Sequence, residues 1–176
     1  DMWSNFGGFA DEAFLKRRKD WAKTWSNSAL AWRQNSQTEI DAFAFGALPA
    51  DYRGTADAVL YFRSLHHLNR FNAAYWDQAV KDTFNILKPG GVVGIVQHRA
   101  PEANPETWAN GDNGYLKQSF VIKKFEDAGF ELVGDPSEVN ANPKDVPTSD
   151  DTVWRLPPTL GTSGGDTELK AKARII

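Results

Sequence analysis

Two short runs hold most of the chemistry in this chain. Arg63-Ser64-Leu65-His66-His67 follows one apolar stretch, and His98-Arg99 follows another. An imidazole titrates near neutral pH, so His66, His67 and His98 are candidate general bases, able to take a proton from a nucleophile. The competing reading of a histidine at such a place is a helix cap or a hydrogen bond to a neighbouring loop. Two adjacent histidines can also bind a metal, but His98 is the third and last histidine of the chain and cysteine is absent. That is a thin ligand set, and no metal is expected. Arg99 has the planar fork that grips a carboxylate or phosphate, or else it pairs with Glu102 or Asp145 and organises a loop.

The elements that must position these groups are legible around them. Ala58-Val59-Leu60-Tyr61-Phe62 is continuously apolar, which predicts a strand over Ala56–Phe62 covered on both faces. Asn72 is a helix cap, and Trp76, Val80, Phe84 and Leu87 then recur at helical spacing. Pro89 cannot continue that helix, Gly90-Gly91 supplies a turn, and Val92–Val96 predicts a second central strand. Strand, loop, helix, turn and strand make a βαβ unit, so the pair is expected to be parallel. In such sheets ligands collect beyond the carboxyl ends of the strands, where both runs lie.

Upstream, Asp11–Trp25 predicts a helix with Phe14, Trp21 and Trp25 on one packed stripe; Lys16–Lys19 read as a solvated face. Ser26–Gln37 reads as a short helix or a loop, Glu39–Phe45 as a weak strand, and Gly46-Ala47-Leu48-Pro49 as a turn. Downstream, Pro101–Asn113 reads as loop, Tyr115–Ala128 as a helix stopped by Gly129, and Phe130–Val133 as a further strand. From Asp135 regular patterning fades. So long an irregular stretch is expected to be a lid or binding loop over 135–167, with a disordered tail as the alternative. Trp154, Leu156 and Leu160 favour packing of part of it. Glu168–Ile176 begins a helix or strand.

The 176 residues suit one domain, 1–176, with an ordinary 41% hydrophobic and 24% charged composition. A net charge of −3 gives no electrostatic reason to expect nucleic acid or an anionic membrane as partner. No apolar run approaches a membrane span, and the lack of cysteine excludes disulfides while fitting either redox compartment. The chain opens on Asp1 rather than Met, so it is expected to start inside a longer gene product.

With these elements in place, the motifs resemble the second half of a class I S-adenosylmethionine-dependent methyltransferase. In that family ILKPGG (here Ile86–Gly91) joins the fourth helix to the fifth strand. HRAPE (His98–Glu102), NGYLKQSFVIKKFEDAGFELV (Asn113–Val133), SEVNANPKDVP (Ser137–Pro147) and VWRLPPTL (Val153–Leu160) are similar to an uncharacterised bacterial subgroup of predicted methyltransferases. The resemblance implies an α/β, doubly wound Rossmann-like sheet, incomplete here: the Gly-rich first βα unit and the last strand have no counterpart. It implies S-adenosylmethionine as cofactor and a small-molecule methyl acceptor. Arg63 and Ser64 then lie beside the methionine part of the cofactor, and Ala47 and Leu48 beside its adenine. His98, Arg99 and Tyr115 border the acceptor, and Asn142 and Lys144 belong to the lid; Asx-type turns are the bland account of that polar run. The resemblance also implies that the cofactor loop lies outside these residues, roughly 60–90 residues upstream of Asp11, the span of two strand–helix units. A complementing chain or missing segment would then complete the fold, and this piece alone is expected to bind no cofactor. The rival reading is a non-catalytic methyltransferase-like binding or scaffold module. A nicotinamide-dependent oxidoreductase is a third, for which LKPGG is a poorer match.

Overall fold

The computed structural model describes residues 21–33, 37, 39–71 and 73–134. Over them the chain is a mixed α/β protein with two small parallel sheets. The elements are α1 (Trp21–Arg33), a 3₁₀ turn (Ala50–Tyr52), β1 (Ala56–Phe62), α2 (Leu65–Phe71), α3 (Ala73–Ile86), β2 (Leu87–Val96), β3 (Arg99–Ala100), β4 (Leu116–Lys117) and α4 (Gln118–Glu126). No described helix is long and apolar enough to cross a membrane.

β1 and β2 pair in parallel, as the βαβ reading requires, with Val59 opposite Val93, Tyr61 opposite Ile95 and Phe62 opposite Val96. The predicted Pro-Gly-Gly turn takes the form of a bulge. β2 advances from Leu87 to Val92 while β1 advances only from Ala56 to Ala58. Gly90 turns there at φ +79°, which a residue without Cβ adopts at little cost. Lys88 Nζ reaches Asp57 Oδ1 across the bulge at 2.6 Å. At the same end Gly54 and Thr55 donate N–H bonds to Asn85 O and Ile86 O, tying the start of β1 to the close of α3.

The main core lies on the Tyr61 face of this pair. Tyr61, Leu65 and Leu68 meet Trp76, Ala79 and Val80 of α3 and Leu116, Val121 and Phe125 around α4. Trp76, Ala79, Val80 and Thr83 are buried on one stripe of α3, the spacing of one helix face. Phe84 departs from the expected stripe: it is 51% exposed and lies edge-on to Phe130 at 5.4 Å. The reading of both strand faces as covered also fails for the described residues. Leu60 and Phe62 are 61% and 64% exposed, because α2, α3 and α4 pack against the opposite face.

Other boundaries move as well. α1 runs through the predicted break at Ser26, since nothing between Trp21 and Arg33 is Pro or Gly. Trp25 is 40% exposed and stacks edge-on with Trp32 at 5.5 Å instead of joining the core. Asp11–Asp20, with Phe14 and Lys16–Lys19, lie outside the described residues, as do Asn72 and everything from Asp135 onward.

Glu39–Phe45 forms no strand. It has no described partner, and its course is set by local contacts: Tyr52 donates to Asp41, Phe43 packs on the Tyr52 ring at 4.6 Å, and Gly46 N–H bonds Asp82 of α3. Phe130–Val133 forms none either. Its first residue is occupied in ending α4: Phe130 N–H bonds Phe125 O at 3.1 Å, Gly129 N–H bonds Glu126 O, and the two Phe rings touch at 5.5 Å. With Gly129 at φ +96° this is a Schellman close, so the predicted glycine stop holds. Tyr115 does not open α4. The chain first forms β4, whose Leu116 pairs with Arg99.

Candidate functional site

The carboxyl ends of β1 and β2 bring the first histidine run against the second strand's exit. Arg63 carries the ladder one rung beyond β1, its N–H donating to Val96 O at 2.7 Å. It does so at φ +53°, and among the described residues it is the one non-glycine in the left-handed region. That conformation costs a side chain with a Cβ of order 1–2 kcal/mol. The reversal lets Ser64 O accept from His67 N–H at 3.0 Å and start α2. Leu65 and Leu68 on the inner side of α2 are buried at 1% and 4%, which leaves His66 half-buried and His67 exposed. The two imidazole rings are in contact, 3.9 Å between centroids and tilted by 41°. This run is therefore a helix and not the expected loop, and its histidines are positioned by a buried leucine pair.

Gln97, the last residue before His98, fixes the chemistry of His66. Its Oε1 lies 3.4 Å from His66 N–H and 3.2 Å from His66 Nδ1, and its Nε2 donates to Gly114 O at 3.0 Å. A backbone N–H can only donate and a carbonyl can only accept, so the amide has one orientation. Its oxygen faces His66, Nδ1 must carry the hydrogen, and Nε2 keeps the lone pair. Burial, the neighbouring His67 and the positive charges of Arg70 and Arg63 push the His66 pKa down to about 4, against the Gln97 bond that favours the charged form. His67, exposed overall but with part of its ring covered, is also lowered, first by that partial desolvation and then by Arg70. At neutral pH the site thus presents a neutral His66 with a defined acceptor nitrogen.

The loop between β3 and β4 clamps onto α2 beside this pair. Asn69 Nδ2 donates to Asn110 O at 2.6 Å, and Arg70 Nε lies 3.6 Å from Asp112 Oδ1. Gly111, at φ +105°, passes so close that a Cβ there would sit 2.4 Å from His66 O. Only glycine permits that approach.

The other sequence-predicted residues fall elsewhere. His98 is 4% exposed and Tyr115 1%; their rings lie 6.1 Å apart, in a satellite core with Ala100, Ala109 and Trp108. Arg99 Nη1 bonds Gln118 Oε1 at 3.1 Å and does not pair with Glu102. Glu102 instead accepts from Ser119 N–H and Oγ at the start of α4. Slight burial works against the ionised carboxylate there, but the Ser119 bonds and Lys117 hold its pKa below the usual value. Ala47 and Leu48 sit beside α3, next to the Gly46–Asp82 bond, and no described contact joins them to Arg63. Asn142, Lys144 and the 135–167 lid lie outside the described residues. Among the described residues no three His, Asp or Glu side chains group as a metal site.

Sequence reasoning missed Gln97, Gly111 and Gly114. The signal for Gln97 was its place at the end of an apolar strand, the same logic that singled out His98. A shallow groove of about 400 Å³ runs along α3 and the end of α4, past Trp76, Val80 and Phe84, and is crossed by the Lys124–Asp77 ion pair at 2.9 Å. None of the candidate residues lines it.

No protein-family model, no curated protein and no solved structure matches the chain.

Proposed function

We propose that the intact protein transfers a methyl group from S-adenosylmethionine to a small-molecule acceptor, at the carboxyl ends of β1 and β2. The observation that carries this reading is the parallel β1–β2 pair with its helical crossover, which ends on a strained Arg63 and a tautomer-fixed His66. It is the place where a parallel sheet gathers ligands, and it lies within the motifs that resemble the methyltransferase family.

The described residues fit the acceptor side of such a site and not the nucleoside side. Ala47 and Leu48 follow Gly46, whose N–H bonds Asp82 of α3, and the described strand ends carry no Gly-rich turn. What these residues supply is positioning. His66 Nε2 accepts a hydrogen bond from an acceptor O–H or N–H and orients its lone pair, and Gln97 stops the ring from turning away. A base with pKa about 4 is unprotonated and ready at neutral pH but drives proton transfer weakly. The larger contribution is alignment of the nucleophile for displacement.

The rival reading is a non-catalytic binding or scaffold module of the same fold, with which the described residues are equally compatible because none of them forms a Gly-rich turn at a strand end. Calorimetric titration of the intact protein with S-adenosylhomocysteine separates the two. Saturable binding supports the transferase; a folded protein that takes up none leaves the binding module.

A further inference from the structure

We propose that Arg63 is the handle for an anionic group, a carboxylate or phosphate, on the methyl acceptor. Naming the acceptor rests on the methyl-transfer reading; the anion site itself does not.

The Arg63 Nε is buried and has no hydrogen-bond partner. No described residue gives its guanidinium an ion pair or hydrogen bond. A buried donor left unmade is costly, and more so on a charged group. The backbone adds a second cost, because φ +53° at this position would be free of strain in glycine. The fold needs a left-handed residue here to pass from β1 into α2. It does not need an arginine, so the side chain has to be explained by something other than the turn. Strain of this kind collects at ligand sites.

The surroundings are cationic, and the neighbouring acid is already engaged. Arg70 stands one turn along α2 from His66, and the carboxylate near it, Asp112, faces Arg70 through one oxygen and accepts from Asn110 Nδ2 through the other. His66 is neutral and offers an acceptor nitrogen, not a negative charge. An oxyanion is the group that would satisfy the buried Nε–H and balance Arg63, while a hydroxyl or N–H elsewhere on the same ligand is what His66 Nε2 would accept from. A sulfonium cofactor carries positive charge, so an acceptor that brings its own negative charge also eases the placing of both in one site.

The test is calorimetric titration of inorganic phosphate into the intact protein, in a buffer free of oxyanions. Arg63→Gln and Arg63→Gly are the variants, and Lys124→Gln, on the far helix, is the control. Saturable binding that weakens at least tenfold in both Arg63 variants and is unchanged in the control is the expected result. Arg63→Gly keeps the turn unstrained, so loss of binding in a folded Arg63→Gly protein cannot be put down to a broken strand exit. No saturable binding, or equal binding in the variants, overturns the proposal. A second arm repeats the titration with S-adenosylhomocysteine present. Phosphate bound together with it supports an acceptor handle; mutual exclusion overturns the acceptor assignment and makes Arg63 a seat for the cofactor's own carboxylate. The two readings fail separately. Arg63-dependent phosphate binding without any S-adenosylhomocysteine binding ends the methyl-transfer reading and keeps the anion site. S-adenosylhomocysteine binding without phosphate binding does the reverse.

Discussion

Replacing Arg63 with glycine should make the protein more stable while impairing its site. Three terms decide the sign. Relief of the left-handed strain at φ +53° is worth of order 1–2 kcal/mol. Removing a buried, unpartnered Nε–H returns about 1–3 kcal/mol of desolvation cost. Against these, glycine loses roughly 0.5–1 kcal/mol more backbone entropy on folding, and loss of the aliphatic stem forfeits about 1 kcal/mol of packing. The favourable terms are the larger, and the net gain is about 2 kcal/mol. For a chain of this size that raises the melting midpoint by roughly 4–8 °C.

The assay is urea denaturation of wild type and Arg63→Gly followed by circular dichroism, with the slope checked for equality so that the midpoints compare directly. Arg63→Ala is the informative companion. It removes the unpartnered donor but keeps the strain, so its gain should be smaller than that of Arg63→Gly by about 1 kcal/mol. An Arg63→Gly protein destabilised by more than about 1 kcal/mol would refute the reasoning, because the guanidinium would then have a stabilising role in the fold. Alanine equal to or better than glycine would refute the strain term alone.

Four other outcomes follow from the same geometry. Gln97→Glu places a carboxylate against His66 and favours the imidazolium, so the His66 pKa, about 4 in wild type, should rise by about 1–3 units in an NMR titration. Stability should also depend on acid. The folded pKa of His66 lies below the unfolded value of 6.5, so the unfolded state binds the proton first. Stability should therefore be complete above pH 6.5 and fall as pH drops towards 4, by about 1–2 kcal/mol once partial exposure is allowed for; denaturant midpoints at pH 7.5 and 4.5, compared with a His66→Gln variant, isolate this share. Gly111→Ala should lose more than about 1 kcal/mol, since its Cβ would lie 2.4 Å from His66 O, and amide exchange should quicken across 110–114 as the loop lifts from α2. Tyr61→Phe should lose about 0.5–1.5 kcal/mol in thermal unfolding, because the buried phenol donates to Thr83 Oγ1 at 2.6 Å while Thr83 itself bonds Ala79 O.

What could be read from the sequence follows from what each signal measures. The β1–β2 pair and α3 were legible because apolar runs bounded by Pro and Gly admit few other outcomes. The Gly129 stop was legible because a left-handed close needs no tertiary partner. The two weak strands failed for a shared reason. Glu39–Phe45 and Phe130–Val133 have strand-like patterns, but a strand exists only against a partner, and patterning cannot show whether one is present. Each segment instead follows nearby contacts, with Tyr52 in one case and with the last turn of α4 in the other.

The site divides in the same way. Arg63, Ser64, His66 and His67 were found by position at a strand end, and the structure does bring them together there. His98 was found by the same rule and lies instead in the satellite core, because Gln97 takes the place on the site side. At a strand end one residue of a consecutive pair faces the site and the next faces away, and sequence cannot say which of the two it will be. The consequence reaches the chemistry. With His98 buried beside Tyr115, proton handling in the proposed reaction falls to His66, whose state rests on an amide oriented by one backbone N–H and one backbone carbonyl. In the proposed site, a neutral imidazole held in one tautomer would orient a ligand O–H or N–H more than pull a proton from it, and the anionic group would fall to Arg63.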